Sequence, residues 1–74
     1  MKNAEKKLEQ FIKSNYKSFS NLDNSEVTEI DVNEFDNDVI DYLKTSKDNR
    51  FDYKNICVYY VESENEVWIE NMDS

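Results

Sequence analysis

A chain of 74 residues with no glycine, no proline, no histidine and one cysteine has room for one small domain, burying roughly 60% of the surface its unfolded form exposes. The missing residue types exclude glycine-rich phosphate loops and the usual imidazole base or metal ligand, and Cys57, alone in the apolar run Ile56-Cys57-Val58, reads as a small core residue with no disulfide to make. A net charge of -8 disfavours direct binding of nucleic acid, which relies on lysine and arginine, whereas 14% aromatic residues argue for a folded rather than a disordered chain.

The first element reads as a helix. Ala4, Leu8, Phe11, Ile12, Tyr16 and Phe19 recur every three or four residues and form one apolar stripe, with Lys6, Lys7, Lys13 and Lys17 mostly opposite. Asn3 is a candidate cap, and the helix is expected to fade over residues 18–21, where serine and asparagine gather. Residues 26–32 alternate, with Thr28, Ile30 and Val32 facing one way and Val27, Glu29 and Asp31 the other. This reads as an edge strand, and a helical turn carrying Val27 and Ile30 stays open. Phe35, Val39, Tyr42 and Leu43 return to helical spacing, so a second helix is expected over 34–46. Asn33 would cap it, acids would fill its first turn, and Lys44 and Lys47 would stand at its C-terminal end.

Residues 45–54 read as a polar loop. After it, residues 55–62 are the clearest strand, β-branched and aromatic, and residues 66–72 return as its hairpin partner. With a loop of two or four residues, Ile56, Val58, Tyr60, Val67 and Ile69 share one face, and Cys57, Tyr59, Val61, Trp68 and Met72 the other. A three-residue loop would instead set Trp68 against Tyr60. The fold class is therefore α+β, in the order α-β-α-β-β, with a small antiparallel sheet packed on helices. Both hairpin faces are apolar, so the side that the helices leave bare needs cover: a helix, a second copy in a homodimer, or a partner. With glycine absent, asparagine and aspartate are expected at left-handed turn positions.

The chain offers little for catalysis. A paired-carboxylate site needs a cleft that so short a chain hardly provides. Asp36-Asn37-Asp38 with Asp41 has part of a calcium-loop pattern, but the sixth and twelfth positions hold Asp41 and Lys47 instead of glycine and glutamate. Glu62, Glu66 and Glu70 flank the hairpin without the lysine that a metal-dependent nuclease would need nearby. The expectation is a non-enzyme with no cofactor and no metal. No apolar run reaches the roughly 20 residues of a membrane span, and the charged N-terminal segment has no apolar core of a signal peptide. A soluble, cytoplasmic protein is expected.

What remains is charge. Between Leu22 and Leu43 stand Asp23, Glu26, Glu29, Asp31, Glu34, Asp36, Asp38 and Asp41, with no lysine or arginine among them. On the expected helix, Glu34, Asp38 and Asp41 form one stripe, with Glu29 and Asp31 extending it from the strand before. Carboxylates about 5–6 Å apart along a helix complement a basic groove. Tyr59 and Trp68 are candidate anchors, tryptophan and tyrosine being frequent binding hot spots.

In length, in its lack of catalytic residues and in the run EVTEIDVNEFDNDVIDYLK, the chain resembles the small acidic inhibitors of phages and mobile elements, including anti-CRISPR and DNA-mimic proteins. The resemblance implies a stoichiometric inhibitor of a nuclease or CRISPR effector, with Glu29, Asp31, Glu34, Asp38 and Asp41 standing in for phosphates in the basic nucleic-acid site. Two other readings stay open: an immunity or antitoxin-type protein neutralising a toxin, and a homo-oligomeric interaction module.

Overall fold

The computed structural model describes residues 2–23 and 25–73. Helix α1 (Lys2–Ser14) and the short α2 (Tyr16–Ser20) precede strand β1 (Thr28–Asp31). Helix α3 (Asn37–Thr45) follows, and then strands β2 (Arg50–Tyr53), β3 (Ile56–Val61) and β4 (Glu66–Asn71). The fold is α+β, and the sheet is antiparallel with strand order β1-β4-β3-β2.

The first apolar stripe does form a helix, but it breaks at Asn15. The side-chain amide of Asn15 donates to the Phe11 carbonyl at 2.9 Å, taking up an oxygen that the helical backbone would otherwise use. Its backbone leaves the helical region at φ -118°, ψ 15°, and α2 starts afresh at Tyr16. That turn buries Phe19 against Phe11, their ring centroids 5.5 Å apart. Asn3 does not cap this helix, because α1 is already running at Lys2.

β1 is a strand and lies at the sheet edge, as the alternation suggested, but Val32 belongs to the 3-10 turn after it (Val32–Glu34). The Asp31 carboxylate accepts from the backbone N–H of Asn33 at 2.8 Å, so the aspartate caps this turn, and Asn33 does not cap α3, which Asp36 precedes. In consequence α3 starts at Asn37, three residues later than the apolar spacing implied.

The clearest departure lies in residues 45–54. A 3-10 turn (Lys47–Asn49) there leads into β2, a fourth strand hidden by its charges. Phe51 and Tyr53 point into the protein, while Arg50 and Asp52 point away. β2 joins β3 through the two residues Lys54 and Asn55. Left-handed backbone occurs at Asp48, Asn49 and Asn65, as the lack of glycine required, and also at Lys54.

The hairpin of β3 and β4 has a four-residue loop. Val61 pairs with Glu66 across it, and Tyr59 pairs with Trp68. Ile56, Val58, Val67 and Ile69 therefore share one face and are fully buried. They pack with Ala4, Leu8 and Ile12 of α1 and with Val39, Ile40 and Leu43 of α3. All the helices lie on this side. A buried Asn71 ties the end of β4 to the helical layer: its amide donates to the Ser20 carbonyl at 2.9 Å, and its oxygen accepts from Asn55 at 2.7 Å.

Candidate functional site: the uncovered face of the sheet

Directly opposed residues of antiparallel neighbours point to the same side of a sheet. The pairings therefore define the face that no helix covers, row by row. The central row runs Glu29, Trp68, Tyr59, Arg50 across all four strands. One flanking row holds Asp31, Glu66 and Val61, and the other Glu70, Cys57 and Asp52. The result is an apolar centre of Tyr59, Trp68, Val61 and Cys57, with five carboxylates around it and a single cation. Arg50 is the only lysine or arginine in any of the four strands.

The polar tips of Tyr59, Trp68 and Arg50 are all held. Tyr59 and Trp68 meet edge to face, their ring centroids 6.1 Å apart at 66°, a favourable aromatic geometry. The Tyr59 hydroxyl donates to Glu70 Oε2 at 2.9 Å, and the Trp68 indole N–H donates to Glu66 Oε1 at 2.9 Å. The ring planes are thus fixed by carboxylates at their polar tips. Burial, reinforced by Glu70, pushes the Tyr59 hydroxyl up to about 12. Arg50 grips Asp52 with two hydrogen bonds, of 3.0 and 2.9 Å, so the one cation on the face is neutralised within its own strand. A third donation from Arg50 reaches Met72 Sδ at 3.1 Å. A shallow depression of about 250 Å³ lies among Asp48, Arg50, Cys57, Tyr59 and Glu70. Cys57 is buried at its floor, and burial with the neighbouring Asp52 pushes its thiol up to about 12. A thiol so far from ionised is a poor nucleophile and a poor metal ligand.

The middle acidic block does not stand on one side. Glu29 and Asp31 lie on the uncovered face with Tyr59 and Trp68. Glu34 sits in the 3-10 turn, outside α3, so the stripe of Glu34, Asp38 and Asp41 does not form on one helix. Asp38 is on α3, in the helical layer across the sheet, and both its oxygens accept from Lys7 of α1 at 3.1 Å. Lys7 also reaches Asp36 at 2.9 Å. These contacts hold the Lys7 ammonium above its ordinary range, and the Lys7 contact holds the Asp38 carboxyl below its own. Asp41 is exposed on α3. Two of the acids thus serve the junction of α1 with α3, where Tyr42 also donates to Glu5 at 3.0 Å.

Reading the sequence alone missed Glu66, Glu70, Arg50 and Asp52 as members of the site. The first two were within reach, since Glu66, Trp68 and Glu70 alternate along one strand and must share its face. Arg50 and Asp52 could be placed only once β2 was recognised. Among the described residues, no three cysteine, aspartate or glutamate side chains converge to hold a metal ion, and no helix is long and apolar enough to cross a membrane. Compared with models of protein families, with curated proteins and with solved structures, the chain matches none.

Proposed function

We propose that this chain is a non-catalytic inhibitor-type binding domain whose uncovered sheet face takes hold of a basic site on another protein. The observation that carries the reading is the row Glu29, Trp68, Tyr59, Arg50 with its flanking acids. It sets two partly buried aromatic rings on rigid central strands in a field of five carboxylates, with the only cation already paired. Aromatic anchors at the middle of a patch give affinity, and the surrounding charge gives speed of encounter and choice of partner. A nucleic-acid-binding protein fits this chemistry, with its basic site occupied by Glu29, Asp31, Glu66 and Glu70 in place of phosphates. The acids at the start of α3 contribute less, because Asp36, just before the helix, and Asp38, in its first turn, are engaged by Lys7.

Capture from a host lysate on immobilised protein tests this reading through three versions of the chain. The wild type and an Asp38→Lys/Asp41→Lys variant should retain the same basic protein and release it as salt is raised. A Glu29→Lys/Trp68→Ala variant, folded by circular dichroism, should not retain it. Equal retention by the sheet-face variant would overturn the reading.

A further inference from the structure

The two edges of the sheet are not alike. At β2, the Arg50 carbonyl accepts from the Ser46 hydroxyl at 3.3 Å, and the cations Lys47, Arg50 and Lys54 stand along and beside the strand. Lysine on an edge is a common defence against the addition of foreign strands. β1 carries no cation. It pairs with β4 on one side, and among the described residues no backbone hydrogen bond joins its other side. Residues 25–36 contain no proline, lysine or arginine, and no bulge interrupts the pairing of β1.

β1 alternates in a way that selects what can join it. Glu29 and Asp31 are exposed and point to the uncovered face. Thr28 and Ile30 are half-buried and point to the helical side, where Ile30 packs on the core. A second copy adding through its own β1 would bring Glu29 and Asp31 against like charges, which is unfavourable directly across strands. A segment with cations at every second position and apolar residues between them meets the opposite on both faces. Its cations lie beside Glu29 and Asp31, and its apolar side chains extend the layer that Ile30 begins.

We infer that β1 is an acceptor edge for an extended, alternately cationic and apolar segment of the partner, which joins the sheet as a fifth strand. This rests on the reading of the uncovered face as a site for a basic protein, and adds main-chain pairing to it.

The test uses two synthetic probes with the full chain at low salt. One is a blocked hexapeptide of alternating valine and arginine. The other has the same charge but carries proline in place of its central valine, which removes a main-chain donor and disfavours pairing. The readouts are amide shifts over the whole chain and hydrogen exchange at residues 28–31. Strand addition predicts that the alternating peptide slows exchange of the outward-facing amides of β1 at least tenfold, that the proline peptide does not, and that Glu29→Lys/Asp31→Lys abolishes the protection. Shifts at Tyr59, Trp68, Glu66 and Glu70 with exchange in β1 unchanged would overturn strand addition and leave the face reading standing. No shift anywhere with either peptide would overturn both. Protection of β1 that rises with protein concentration in the absence of peptide would overturn the inference in favour of self-pairing.

Discussion

Tyr59 shows how one side chain reports on the face it occupies. Its hydroxyl lies against Glu70 and is half withdrawn from water, and both effects favour the protonated phenol. The folded chain therefore holds this proton up to about 12, whereas an unfolded tyrosine loses it near about 10. Between those values the unfolded state binds fewer protons than the folded one, so stability falls as pH rises through that window and is unaffected by this group below it. An alkaline titration followed at 295 nm should show one tyrosine ionising near pH 12 that is missing in Tyr59→Phe. Tyr42, also raised, chiefly by burial, remains in the variant and contributes its own late step. If the late absorbance is the same in both proteins, Tyr59 is neither withdrawn from water nor held by Glu70 in solution.

The elements were legible wherever apolar periodicity outweighed charge. The hairpin is the best case: β-branched and aromatic runs gave the strands, while the loop length stayed open until the pairing of Val61 with Glu66 fixed it at four residues, with Asn65 at its left-handed position. β2 was illegible because only Phe51 and Tyr53 carry its pattern, and its hairpin turns on Lys54, a residue with no turn signature. The start of α3 was misplaced for a different reason. Phe35 keeps helical spacing with Val39, but the carboxylate of Asp31 draws the backbone into a 3-10 turn first. Asn65 offers the direct test of the hairpin. It sits at φ 54°, ψ 44°, a region that costs a β-branched residue roughly 1–2 kcal/mol. Asn65→Val should lower the melting temperature by about 4–8 °C for each kcal/mol lost in a domain of this size. Asn65→Gly should leave it within a degree or two, because glycine occupies that region freely. A fall of similar size in both variants would mean that the loss comes from the side chain of Asn65 and not from backbone strain.

For the whole molecule, the arrangement of charge decides what the uncovered face does when no partner is present. The acidic block was plain in the chain, but its division between two sides was not, because that depends on Lys7 reaching across to α3 and on β1 pairing with the distant β4. On the uncovered side, an apolar centre that would favour self-association is ringed by carboxylates that oppose it. At neutral pH repulsion between copies, each carrying -8, should keep the protein monomeric. As pH falls toward the sequence pI of 4.3, the carboxylates take up protons and the net charge approaches zero, which promotes association. Sedimentation velocity should therefore show a monomer at pH 7 and a dimer or larger species near pH 4.5, and Trp68→Lys should restore the monomer at the lower pH by placing a charge at the centre of the face. High salt at pH 7 should move the wild type in the same direction as acid, since it screens the same repulsion. A stable dimer of the wild type at pH 7 and low salt would show instead that the apolar centre outweighs its acidic surround, and the face would then be a homodimer interface and not a site for a basic partner.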